Sequence, residues 1–273
     1  VTFRDQACAH LCGYRKNNLG LAEEGVFVHR RIPHHKGHIL PKGSEQRNLL
    51  EGYRDLFFAS EYGATDRHRY FHHLNSSQGL CFNLFFPLIH EKQLPLLVRS
   101  IGSDMSHPAE ARFEFPSPRE IAKRRTSFDF YLRGSDRESY VEVKYTEDGF
   151  GRAKQDPEHL EKFRNTYAPL LKDSAYLADE CNDPTFFLKN YQVLRNLVHI
   201  TPTSEVVFLF PRANRKVAEQ AECARERFLT DAGRERMRIV FLEDLVGELI
   251  TACRGTLLGR HYESFHDKYL AFA

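Results

Sequence analysis

The stretch Ser127–Glu147, SFDFYLRGSDRESYVEVKYTE, decides how the chain is read. Phe128, Phe130 and Leu132 alternate with Ser127, Asp129, Tyr131 and Arg133. After Gly134-Ser135-Asp136-Arg137, Val141, Val143 and Tyr145 alternate with Tyr140, Glu142, Lys144 and Thr146. Period-two patterns on either side of a Gly/Ser/Asp turn predict a β-hairpin. A loop of Ser135-Asp136 or of Gly134–Arg137 gives the same register, with Arg133 opposite Glu138. Asp129 then stands opposite Glu142, and Lys144 lies two residues along on the same face.

Directly paired cross-strand residues have Cβ atoms roughly 4.5–5.5 Å apart, so two facing carboxylates repel. A divalent cation between them turns repulsion into ligation, because Mg²⁺ takes one or two carboxylates with waters and phosphate oxygens. An ammonium group alongside suits metal-assisted phosphodiester hydrolysis. The plainer reading is a solvated polar face on which Lys144 screens Glu142. A Glu-x-Lys triplet is weak alone, but Glu142-Val143-Lys144 is the one such triplet in this sequence and falls within a strand opposite an Asp.

Asp129 followed by Glu142-Val143-Lys144 on the second strand of a hairpin resembles the PD-(D/E)XK nuclease superfamily, the restriction-endonuclease-like fold. The motif's Pro is absent, since Phe128 precedes Asp129. The flanking words HILP (His38–Pro41), LNSSQ (Leu74–Gln78) and YQVLRN (Tyr191–Asn196) look like those of a family of bacterial restriction endonucleases. The resemblance implies an α/β fold with a restriction-endonuclease-like core, α-β-β-β-α-β, in a mixed central sheet. It implies that Asp129, Glu142 and the backbone carbonyl of Val143 hold Mg²⁺, with Mn²⁺ as a substitute. Lys144 would orient and polarise the attacking water. Glu147, just past the strand, could help a second ion, but its parity places it off that face.

The rest of the chain agrees with an α/β reading. Ala111–Phe115 is the expected first core strand and Glu205–Pro211, a continuous apolar run, a buried one. Asn75-Ser76-Ser77 caps a helix carrying Leu80, Leu84, Phe85 and Leu88, with Gln78 in its first turn. The superfamily often places a Glu near the metal from this helix, which makes Gln78 an auxiliary candidate; completing the cap is its plainer role. Asp156-Pro157 and Asp183-Pro184 each open a helix, the first to about Tyr167 and the second to about His199. On the latter, Gln192, Arg195 and Asn196 share one face, as supports of the site or as a solvated stripe. A helix from Asn214, the strand Met237–Leu242 and a helix from Glu243 follow. Strands alternating with helices indicate a sheet covered on both faces.

Between strands, Arg119, Lys123, Arg124 and Arg125 precede Asp129 and would hold substrate phosphates, unless they are merely solvated. The expected divisions are an arm of residues 1–73, a core of 74–211 and an extension of 212–273. The arm reads as polar and irregular, with a helix over Gln46–Ser60 and seven of the 14 histidines between His29 and His73. Cys8, His10 and Cys12, the group His34, His35 and His38, and the pair His68 and His72 admit zinc, but paired Cys-x-x-Cys knuckles are absent.

A net charge of +2 advertises no general affinity for polyanions, and 41% hydrophobic and 28% charged residues are ordinary for a globular protein. Six scattered cysteines and the lack of a long apolar run predict a soluble, cytoplasmic protein with no membrane partner. The expectation is a Mg²⁺-dependent DNA endonuclease of restriction, defence or repair type, with a homodimer left open. The alternatives are a non-cleaving nucleic-acid-binding protein on the same fold, and a zinc-organised interaction protein.

Overall fold

The computed structural model describes residues 1–121, 125–172 and 174–272. Among them lie seven strands: β1 (Gly25–His29), β2 (Ile32–Lys36), β3 (Glu110–Pro116), β4 (Ser127–Arg133), β5 (Glu138–Val143), β6 (Ser204–Phe210) and β7 (Met237–Phe241). By contact the chain falls into two units. One comprises Val1–Ser100, Pro211–Asn214 and Phe241–Ala273; the other comprises Ile101–Phe210 and Arg215–Val240.

The sheet of the second unit runs β3-β4-β5-β6-β7. β3, β4 and β5 form an antiparallel meander and β6 lies parallel to β5, so the sheet is mixed. A parallel neighbour needs a crossover, and here helices between Pro157 and Leu197 supply it. β6 is buried along its whole length, as its unbroken apolar run requires. In chain order, the helix Ser77–His90, three antiparallel strands, the crossover helices and β6 give the expected α-β-β-β-α-β series.

Two helices depart from expectation. Asp156 caps the first, its side chain accepting from the His159 N–H. That helix does not stop before Pro169: a π-turn at Phe163–Tyr167 carries it into Ala168–Lys172. The second divides at Asn190 into Pro184–Lys189 and Tyr191–Leu197.

The first unit is mainly helical and more ordered than a polar, irregular arm. Thr2 and Asp5 form a reciprocal capping box that starts the helix Phe3–Asn17. β1 and β2 pair as a hairpin within the stretch expected to be irregular; every residue of β2 is exposed, so no alternation betrayed it. The expected helix over Gln46–Ser60 is a 3₁₀ turn at Glu45–Asn48 followed by the helix Glu51–Ala59. Asn83 explains the break between them: its Oδ1 accepts from the Leu50 N–H at 2.7 Å and its Nδ2 donates to the Asn48 carbonyl at 3.0 Å. A last helix, Leu257–Tyr269, buries Leu258, Tyr262, Phe265 and Tyr269. No helix among the described residues is long and apolar enough to cross a membrane.

Two buried histidines make stability pH-dependent. Burial pushes His199 down to about 3 and His261 down to about 4. An unfolded histidine titrates near about 6.5. Between that value and the folded ones the unfolded chain binds more protons, so stability falls as the pH falls. Each contributes about 1.4 kcal/mol per pH unit within its window, and the contribution is fully lost below the folded pKa. Urea unfolding at about pH 7 and about pH 5 should show the loss, and His199→Gln should flatten it.

Candidate active site

The β4–β5 hairpin has the expected register, with Arg133 opposite Glu138 and Phe130 opposite Val141. Its Gly134–Arg137 loop is closed by a hydrogen bond from the Gly134 N–H to the Arg137 carbonyl at 2.9 Å. One step beyond Phe130 and Val141 stand Asp129 and Glu142. Glu142 and Lys144 are 5% and 7% exposed, which excludes a solvated polar face.

Regular alternation ends at Asp129. Phe130 packs on Phe113 at 5.2 Å, whereas Phe128 packs on Tyr140 at 4.7 Å and on His199 at 4.8 Å. Tyr140 pairs with Tyr131, so Phe128 has crossed to the side opposite Phe130. β3 makes the same change: Phe115 stacks on Tyr131 at 3.9 Å, and between it and Phe113 lies Glu114 with φ +48°. The β3–β4 register passes through this point without a Glu114–Asp129 pair. A left-handed glutamate is uncommon and strained. It marks a break shared by both strands, directly beside Asp129.

The break turns the Asp129 carboxylate toward β5, where its Oδ2 accepts from the Val143 N–H at 2.7 Å. Burial raises the Asp129 pKa well above the usual carboxylate range, and the nearby Glu142 and Glu114 carboxylates add to the rise against Lys144 and the Val143 N–H. The Lys144 ammonium donates to Glu142 Oε1 at 2.7 Å. Burial alone would lower its pKa, but Glu142, Glu147 and Asp129 outweigh that and raise it. Gln192 Nε2 donates to the same Glu142 oxygen at 2.9 Å, and its Oε1 accepts from the Gly151 N–H at 2.8 Å. Oε1 of Glu142 is thus held twice, while its Oε2 has no hydrogen bond among the described residues.

The segment after β5 is fixed around this cluster. Glu147 Oε2 accepts from the Tyr145 N–H at 2.6 Å, and Phe150 packs on Phe208 at 4.9 Å. Gly149 has φ +99°, and a Cβ there would fall 2.6 Å from Gln220 Oε1. The backbone conformation therefore favours glycine, and any Cβ would have to displace the Gln220 amide.

Other predicted residues are placed differently. Arg195 lies over the Tyr191 ring, 5.5 Å from its centroid, and its buried Nε has no hydrogen-bond partner among the described residues. Asn196 is fully buried with both amide atoms likewise unpartnered, so the Gln192/Arg195/Asn196 face is no solvated stripe. Arg119 donates to the Val198 carbonyl and Arg125 to the Ser117 carbonyl; Lys123 and Arg124 lie outside the described residues. Gln78 belongs to the first unit, where its amide ties down the preceding loop: Oε1 accepts from the His68 N–H at 2.8 Å and Nε2 donates to the Asp66 carbonyl at 3.0 Å. That loop is a series of turns, so His68 and His72 lack the helical spacing of a ligand pair. All six cysteines are free. Among the described residues no group of three or more His, Cys, Asp or Glu side chains is placed to hold a metal ion.

Glu114 was not identified from the sequence. The long segment between β3 and β4 hides their register, and nothing in the residue type announces a positive φ.

A family model described as "restriction endonuclease associating with ARP" matches residues 9–270. The chain belongs to this family. No curated protein and no solved structure matches it. The mixed five-stranded sheet flanked by helices is consistent with a restriction-endonuclease-like fold, as the family description leads one to expect.

Gln192 reaches Glu142 from the crossover helix Tyr191–Leu197. Gln192→Ala would free Glu142 Oε1 from one of its two donors. A loss of about tenfold in cleavage rate with little change in DNA affinity is expected, within the range for a misplaced group. Rates and DNA binding compared for the two proteins check this.

Proposed function

We propose that the chain is a Mg²⁺-dependent DNA endonuclease of the PD-(D/E)XK type, acting in the cytoplasm in restriction, defence or repair. One observation carries this reading: the buried Lys144 ammonium donates to Glu142 Oε1 at 2.7 Å, and Glu142 stands one step from the Asp129 carboxylate across the hairpin. Negative charge in excess inside a protein is costly unless a cation joins it. The donors are hard oxygens, which suit Mg²⁺ or Mn²⁺ and not zinc.

Asp129 and Glu142, through its open Oε2, would hold the ion. The Val143 N–H faces Asp129, and in a strand the carbonyl of the same residue points to the same edge, where it would join them. Bound Mg²⁺ supplies Lewis acidity toward the phosphoryl oxygens and acidifies water. Lys144 orients and polarises the attacking water and stabilises charge that develops on the phosphate. Gln192 holds the Glu142 carboxylate in place. Arg125, exposed beside the strand that carries Asp129, is the described residue of the basic segment best able to meet a phosphate.

Supercoiled plasmid tests the reading. Nicking that requires Mg²⁺ or Mn²⁺ and stops with a chelator supports it. DNA binding without nicking under both ions would replace it with a non-cleaving binding protein.

A further inference from the structure

The first unit contains a pocket of about 380 Å³. Tyr14 and Asn18 line it from the helix Phe3–Asn17 and its C-cap, Arg47, Gly52 and Arg54 from the next two helical segments, and Arg260 from the last helix. None of these residues belongs to the proposed catalytic set. We propose that this pocket binds a nucleoside 5′-phosphate, either a free nucleotide or the terminal nucleotide of a strand.

Three features supply the phosphate end. The helix Glu51–Ala59 begins at Leu50 without a side-chain cap. Its first N–H groups, at Glu51 and Gly52, have no acceptor within the helix, and its dipole favours an anion there. Arg47 gives one nitrogen to the Leu19 carbonyl at 2.6 Å and Arg54 one to the Leu49 carbonyl at 2.9 Å, so both keep further donors. Arg260 makes no side-chain hydrogen bond or ion pair among the described residues. Guanidinium forks match phosphate oxygens.

The same lining also asks for hydrogen-bond donors. His261 is 4% exposed and lines the pocket. Its Nε2 donates to the Asn83 carbonyl at 2.7 Å, which makes Nδ1 the acceptor of the neutral ring. Nδ1 has no partner among the described residues. Burial keeps the ring neutral by lowering its pKa to about 4. Glu51 and Asp267 add carboxylates to the same lining. A bare polyanion would meet repulsion here as well as attraction. A ligand that carries N–H or O–H donors beside its phosphate satisfies both sides, as the amines and hydroxyls of a nucleoside do.

The pocket is also preformed. Asn83, which holds His261, bonds to Asn48, Leu50 and the Tyr269 hydroxyl, and Lys268 donates to Asn48 Oδ1 at 2.8 Å. A Cβ at Gly52 would meet nothing within 4 Å, so this position opens on free space. The volume lies within the range of small-molecule sites.

Titration calorimetry on the full chain in a chelator, which keeps the proposed cleavage silent, tests the proposal. The probes are the four common nucleoside 5′-monophosphates, their nucleosides, inorganic phosphate, and oligonucleotides with and without a 5′-phosphate. At least one monophosphate should bind about tenfold or more tightly than its nucleoside and than inorganic phosphate, a factor of about 1.4 kcal/mol. Gly52→Leu, which fills the space, and Arg260→Ala should each weaken it about tenfold or more, while Asp129→Ala leaves it unchanged. Gly52→Leu should melt no lower than wild type, because leucine is the better helix former. Tighter binding of the 5′-phosphorylated oligonucleotide assigns the site to a strand end, and tighter binding of the mononucleotide assigns it to a free ligand. Absence of binding at millimolar nucleotide, phosphate binding as tight as nucleotide, or binding unchanged in both pocket variants would overturn the proposal.

Discussion

Lys144→Ala is expected to slow plasmid nicking by about a hundredfold or more, the loss typical when one group that stabilises transition-state charge is removed. The substitution leaves Glu142 Oε1 with Gln192 as its remaining donor and leaves the buried Glu142 carboxylate, beside the half-buried Asp129, without its ammonium. Removing one partner of a buried pair destabilises by on the order of 3 kcal/mol. The variant should therefore melt lower than wild type in a chelator and regain part of the difference with Mg²⁺, since an ion that binds only the folded state stabilises it. Activity measured well below the melting point separates lost chemistry from lost fold. A variant that nicks at the wild-type rate would remove Lys144 from the mechanism.

Asp129→Asn should act in opposite directions on stability and on cleavage. The amide keeps an oxygen for the Val143 N–H and removes a charge that burial and two neighbouring carboxylates oppose. A gain of about 1 kcal/mol in a chelator is expected, in line with other substitutions that relieve a strained functional site. Cleavage should be lost, and with it most of the stabilisation by Mg²⁺, because one of the two proposed carboxylate ligands is gone. Melting curves with and without Mg²⁺, run beside the nicking assay, check both. A variant that melts lower than wild type in chelator would show that Asp129 is not opposed by its neighbours.

Both predictions concern residues that local patterning could locate. Alternation plus a short turn determines register, so the hairpin that carries Asp129 and Glu142 was legible, as was β6 from its continuous apolar run; the turn of the Asp129 carboxylate toward β5 was not. Residues placed by distant parts of the chain were less so. Gln192 reaches Glu142 across 50 positions, and its bond to Gly151 depends on a loop whose path the sequence does not encode locally. β1 and β2 went unseen because exposed strands need no apolar alternation. The helix Leu257–Tyr269 did carry a signal, Leu258, Tyr262, Phe265 and Tyr269 at helical spacing, and could have been found. Gln78 could not: its amide bonds to backbone ten and twelve residues earlier, and only the folded loop reveals them.

Glu114 bears on any attempt to redesign the protein. A non-glycine residue at φ +48° forgoes about 1 kcal/mol that glycine would not. Selection for thermal tolerance alone would therefore favour glycine at this position. It would also discard a carboxylate whose charge bears on Asp129, so a library screened only for heat resistance would drift away from the acidic groups beside the break in the two strands.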